Sequence, residues 1–208
     1  MRNRLPKITN KYKICIICEG NEECMYLERL SNLRVWNDVY DIYLANAGGN
    51  GNIPARYQDK YQNGDYDAIF VFCDTEKKPH EQYEEIKNRI NGFHGKTIAN
   101  EIVIFGNPCT MQIIIKHWTD ESIRTPAKPV NAPLIEKYTG VHNYKGRTDQ
   151  IKDVMNCLNK ENYTRMRSVV RTMSNNDQED GSTNFFVLLS YLESRDCSWI
   201  NLLNDKLS

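Results

Sequence analysis

The stretch Lys13 to Leu30, KICIICEGNEECMYLERL, constrains the fold more than any other. Ile14-Cys15-Ile16-Ile17-Cys18 is wholly apolar and stops abruptly at Glu19. A run that is short, continuous and rich in β-branched residues reads as a strand covered on both faces, which is the signature of a parallel sheet. Glu19-Gly20-Asn21 then makes a sharp turn. From Glu22 the apolar spacing becomes helical, with Met25, Tyr26, Leu30 and Leu33 recurring every three or four residues. Asn21 is the expected N-cap, and Glu22 and Glu23 suit the positive end of the helix dipole. Glu19 therefore stands at the carboxyl end of a buried strand, the rim where open α/β sheets bind ligands.

The same alternation continues along the chain. Val39 to Ala45 reads as a strand. The loop AGGNGN leads into a helix over Ile53 to Gln62. That loop is read as a flexible connection. As a phosphate cradle at Gly48 to Gly51 it would imply ATP binding, but it lacks the Lys-Ser/Thr of a P-loop. Ala68 to Cys73 is a second continuous apolar strand, and it ends in Asp74-Thr75-Glu76. In extended backbone Asp74 and Glu76 would share one side. Pro79 is expected to open a helix over His80 to Ile90. Glu101 to Phe105 reads as a fourth strand, and Thr110 to Trp118 as an apolar helix after Gly106-Asn107-Pro108-Cys109. Four β-α repeats with right-handed crossovers predict an α/β fold: a mostly parallel four-stranded sheet flanked by helices, with all the acidic turns on one rim.

Beyond Asp120 the texture changes. Pro126, Pro129 and Pro133 mark 120–148 as an irregular insertion. Ile151 to Leu158, Tyr163 to Met173, Asn184 to Leu192 and Trp199 to Leu203 read as helices of a C-terminal elaboration that packs on the core. The expected division is a basic N-terminal tail over 1–12, an α/β core over 13–119 and the elaboration over 120–208.

Composition excludes more than it suggests. The 208 residues carry a formal net charge of zero, so any nucleic-acid surface must be a local patch. No apolar run reaches the length of a membrane span, and the N-terminus lacks a signal-peptide core, so a cytoplasmic location is expected. The seven cysteines are an odd, scattered set, which suits reduced buried thiols. Cys15 and Cys18 mimic a CxxC motif, but an odd separation in a strand puts them on opposite faces.

The chemistry turns on Glu19, Asp74 and Glu76. Three carboxylates brought to one rim repel each other strongly unless something positive joins them. Oxygen-only ligands at strand ends suit Mg²⁺ or Mn²⁺. The bland alternative for any one of them is a solvated loop acid.

The segment EGNEECMYL, followed some fifty residues later by a hydrophobic strand ending in DTE, resembles the Toprim domain of topoisomerases, primases and OLD-type nucleases. The match is nearest to the RloB-like and abortive-infection Toprim proteins. Their first motif, E-G-x-T-E-x-x-Y, is similar to Glu19, Gly20, Glu23 and Tyr26, with Glu22 in place of the Thr. Their S-N-P-C-F-E-L-W segment is similar to 106–113, with Asn107, Pro108 and Cys109 matching and Met111 in place of the Glu. Tyr144-Lys145 and Ser182-Thr183 correspond more loosely to later elements of that family. The resemblance covers about residues 13–118. It implies a Toprim-like fold and a metal-dependent nuclease acting on DNA or RNA in anti-phage defence, with an ATPase as partner; a homodimer is a separate expectation. In that reading Asp74 and Glu76 hold Mg²⁺, and Glu19 is a further ligand or the general acid/base. The lost acid at Met111 leaves open a second reading, a catalytically weakened module that binds a protein or phosphorylated ligand.

Around these acids, Glu23 and Asn107 are expected as supporting groups, Asn107 toward a metal-bound water or a phosphate. The bland alternatives are a helix-start acid and a loop cap. Lys145, Arg147, Arg165 and Arg171 are the candidate nucleic-acid contacts, set against the ordinary reading of a solvated basic face. His117, beside Trp118, reads as structural.

Overall fold

A computed structural model describes residues 11–208 of the chain. Most of the expected basic tail over 1–12 lies outside the described residues. The α/β architecture is borne out. Strands β1 (Tyr12–Cys18), β2 (Tyr40–Asn46), β3 (Ala68–Asp74) and β4 (Val103–Gly106) form one parallel sheet in the order β2-β1-β3-β4. Helices α1 (Asn21–Asn32), α2 (Ile53–Asn63), α3 (Glu81–His94) and α4 (Ala99–Ile102) make the connections between strands. After β4 come α5 (Met111–Ile114), α6 (Lys128–Thr139), α7 (Thr148–Asn156), α8 (Lys160–Val170), α9 (Phe185–Glu193) and α10 (Ser198–Leu207).

The strand order decides where a site can form. From β1 the chain steps outward to β2, then crosses back to β3 on the other side. The reversal leaves a crevice above the carboxyl ends of β1 and β3, the switch point at which doubly wound sheets take ligands. Cys18 pairs with Phe72 in the register, so Glu19 and Asp74 follow almost side by side.

Alternate side chains of the sheet fill two apolar layers. On one face Phe72 stacks on Phe185 at 5.3 Å between ring centroids, Phe70 on Tyr191 at 6.0 Å, and Tyr26 lies 5.7 Å from Phe185. This face packs α1, α9 and α10. Tyr57 of α2 meets Phe93 and His94 of α3 in a second aromatic cluster. All seven cysteines are free thiols, and Cys15 and Cys18 are buried within β1. No helix among the described residues is long and apolar enough to cross a membrane.

Four local expectations need correction. The helix α1 is capped by Gly20, not Asn21: the Gly20 N–H donates to Glu23 Oε2 at 3.0 Å, while Asn21 Oδ1 accepts from Asn46 across the loop. The fourth strand starts two residues late, because Glu101 and Ile102 close α4. Helix α3 begins at Glu81, because His80 adopts a left-handed backbone with φ 61°. Finally, the proline-rich stretch contains a regular helix, α6. Pro129 sits in its first turn, where a missing N–H is harmless, and Asn131, Ala132 and Ile135 bury its inner face despite Pro133.

The segment before α9 completes the sheet. Asn184 Oδ1 accepts the Phe105 N–H at 2.8 Å, Asn184 Nδ2 donates to the Val103 carbonyl at 2.8 Å, and Thr183 bridges Gly106 antiparallel. The outer edge of β4 is thereby satisfied by residues far along the chain.

Candidate metal centre

Glu19 emerges from β1 and Asp74 from β3, each where an apolar strand runs out at the sheet rim. Glu76 follows after one residue. Glu19, Asp74 and Glu76 each offer a carboxylate oxygen, and the three lie within 4.8 Å of one another. The expected convergence of acids distant in sequence is present. Glu76 does not reach the cluster by continued strand geometry: its own φ is 61°, and its N–H donates to the Pro108 carbonyl at 3.0 Å. A turn, not the two-residue strand period, aims it.

Each strand-end acid is held by one oxygen. Glu19 Oε2 accepts the backbone N–H of Asp74 at 2.9 Å. Asp74 Oδ1 accepts from both the N–H and the hydroxyl of Thr110, at 2.6 and 2.8 Å. The second oxygen of each has no protein donor among the described residues, nor does either oxygen of Glu76. A carboxylate fixed through one oxygen and open at the other suits coordination of a hard cation.

The electrostatics point the same way. Burial pushes Glu19 up to about 8; the Asp74 N–H opposes this, and the charges of Glu23 and Glu76 add to it. Burial, followed by Glu23 and Glu19, raises Asp74 well above the usual carboxylate range, and burial raises Glu76. The protein's own groups therefore under-neutralise the cluster, and a divalent ion would make good the deficit. The donor set is carboxylate oxygen alone, which fits Mg²⁺ or Mn²⁺ better than softer metals.

Glu23 is buried at 4% exposure and pushed up to about 7 by burial and then by the Glu22 charge. Its hydrogen bond to Gly20 makes it the brace of the Glu19 turn. Glu22 proves more consequential than its sequence position suggests. It is 6% exposed, accepts the Tyr144 hydroxyl and pairs with Lys128 Nζ at 2.7 Å. Lys128 lies across Gly146, where a Cβ would collide with its Nζ. Burial works to lower the Lys128 ammonium, but Glu22, Glu23 and Asp74 together hold it above its ordinary value. Lys128 is thus the cation of the acidic rim. No sequence signal singles out Lys128, which lies in a proline-rich stretch, or Thr110, which looks like an ordinary helix start.

Asn107 does not face the carboxylates. Its side-chain amide donates to the carbonyls of Asp177 and Glu179 at 2.7 and 2.9 Å, and it is 2% exposed. It pins the 174–183 loop and has no donor left for a ligand. The basic candidates divide. Lys145 and Arg147 are exposed and flank Gly146, hence the Lys128 side of the rim. Arg165 sits on α8, where it pairs with Asp120 at 2.9 Å, and Arg171 caps the helix's C-terminus. Helix α8 packs on the Ile115–His117 turn and on α9, so these two arginines do not join the acids. His117 is structural as expected: it bonds the Tyr26 hydroxyl and Asn162, and burial pushes it down to about 4.

No family model matches the chain, and neither the characterised proteins nor the solved structures include a significant match.

Proposed function

We propose that the chain is a Mg²⁺- or Mn²⁺-dependent phosphodiester hydrolase of Toprim type, acting on DNA or RNA. The observation behind this reading is the convergence of the Glu19, Asp74 and Glu76 oxygens within 4.8 Å at the β1/β3 switch point. The ion, once bound, would supply Lewis-acid polarisation of a phosphoryl oxygen. Asp74 and Glu76 would hold it, with Glu19 completing the set through its open oxygen. If Glu19 stays off the ion instead, burial raises its proton affinity and suits it to act as general acid or base. Thr110 keeps Asp74 oriented, Lys128 offers a positive charge for a phosphate oxygen, and Lys145 and Arg147 extend that charge along a nucleic-acid backbone.

A role in anti-phage defence and control by an ATPase partner belong to the same proposal through the Toprim resemblance; self-association as a homodimer and a cytoplasmic location are proposed beside it. A second reading, a binding module with a weakened site, has one observation in its favour. Met111, in the position of a family Glu, is 3% exposed in the apolar core, so no carboxylate could stand there without repacking.

The test is cleavage of plasmid DNA and of tRNA with Mg²⁺ or Mn²⁺. Wild type is expected to cut at least one of them, and Glu19→Gln and Asp74→Asn to abolish cutting without loss of stability. Equal inertness of all three, with an ATPase partner present, would refute the enzyme.

A further inference from the structure

His80 is an unusual residue in an unusual place. It is 1% exposed, adopts φ 61°, and directs its Nδ1 at two successive carbonyls, Thr75 at 2.9 Å and Glu76 at 3.1 Å. Both partners are acceptors, so Nδ1 carries the proton and donates to both. The other ring nitrogen, Nε2, is buried and has no partner among the described residues. Two left-handed non-glycine residues, Glu76 and His80, thus close one short turn, and the imidazole is the only side chain among the described residues that bonds its carbonyls. Backbone strain and an unpaired polar atom concentrated in a single turn are the mark of a segment held for what it presents. What this turn presents is the Glu76 carboxylate.

We propose that His80 is the positioning residue of the metal centre: by donating Nδ1–H to the Thr75 and Glu76 carbonyls it holds the strained turn that sets Glu76 beside Glu19 and Asp74. The role rests on the metal-centre reading of those three acids. Glu76 has no strand to fix it, unlike Glu19 and Asp74. Its N–H is tied to Pro108 and its carbonyl to His80, so the imidazole supplies half of its backbone restraint. Outer groups that orient a ligand without touching the ion govern its affinity in the same way.

Two substitutions of similar size separate this role from mere packing. The side-chain amide of Asn places an N–H where Nδ1 stands, and Asn tolerates a left-handed backbone; Gln places its amide one bond further out. Mn²⁺ affinity is measured by calorimetric titration of wild type, His80→Asn and His80→Gln, together with thermal unfolding and amide-exchange protection at Thr75 and Glu76. The expected result is roughly tenfold weaker binding and lost turn protection in His80→Gln, and binding within about threefold of wild type in His80→Asn. Unchanged affinity in folded His80→Gln, or equal loss in both variants, would overturn the positioning role alone. Absence of Mn²⁺ binding by wild type would overturn the metal centre and this role with it.

Discussion

The carboxylate of Glu19 accepts the backbone N–H of Asp74 across the β1/β3 seam at 2.9 Å, so one candidate ligand locates the other. Two acids 55 positions apart in sequence are fixed by the side chain of one and the main chain of the next, before any ion is considered.

That contact separates charge from structure at Glu19. In Glu19→Gln the amide oxygen still accepts the Asp74 N–H, so the thermal midpoint should hold or rise, while Mn²⁺ affinity should fall by more than about tenfold. In Glu19→Ala the N–H loses its partner in a half-buried site, at a cost of about 1–3 kcal/mol. Paired calorimetric and thermal-unfolding measurements check both; a large stability loss in the Gln variant would contradict the assignment.

The pH dependence has a definite sign. Glu19 has an ordinary value of 4.5 and is raised to about 8 in the fold, and Asp74 and Glu76 are raised as well. The folded state favours the protonated forms, so the Glu19 contribution is complete below about pH 4.5 and is lost as pH climbs toward 8, and those of Asp74 and Glu76 fall in the same direction as pH rises. Metal-free protein should therefore lose stability across that window, with about 2–4 °C in melting temperature for each kcal/mol lost. Added Mn²⁺ should restore it, so the metal-induced gain in melting temperature should grow from pH 5 to pH 8. A gain independent of pH would show that the ion binds elsewhere.

Lys128 joins a structural pair to a candidate phosphate contact, and a double substitution can part them. Lys128→Met leaves the buried Glu22 carboxylate with only Tyr144. Because Lys128 is itself 40% exposed, the expected loss is about 1–3 kcal/mol, below that of a fully buried pair. Adding Glu22→Gln should recover most of that stability. Binding of a labelled oligonucleotide should stay weak in both variants; recovery of binding in the double variant would confine Lys128 to a structural part.

Asn107→Ala should behave differently from any change at the rim. Removing its amide frees the carbonyls of Asp177 and Glu179, at a cost of about 1–3 kcal/mol, and opens 174–183 to proteolysis. Mn²⁺ affinity should stay within about twofold of wild type, which limited proteolysis and titration together would establish.

The readable parts of the sequence were those in which local pattern and tertiary role coincide. Ile14 to Cys18 and Ala68 to Cys73 announce buried parallel strands because both faces are apolar, and the acids that end them fall on one rim by topology. Strand periodicity alone does not bring Glu76 to the cluster, since the strand stops at Asp74 and a left-handed turn does the aiming. Asn107 was misplaced because its partners, Asp177 and Glu179, lie about 70 residues away, and no local pattern announces such a contact. Lys128 is hidden because the surrounding prolines suggest broken structure, although Pro129 falls where a helix tolerates one. Glu22 looked like a helix-start acid, and its exposure depends on Tyr144 arriving from the other half of the chain.

The closure of β4 by Thr183 and Asn184 has a consequence for synthesis. The Phe105 amide waits 79 positions for its acceptor, about 4–16 seconds at ribosomal speeds of 5–20 residues per second. Throughout that interval the nascent sheet shows a bare hydrogen-bonding edge, the kind that captures neighbouring chains. A stalled or shortened translation product would accordingly be sticky, and its solubility would depend on whether elongation had passed Asn184.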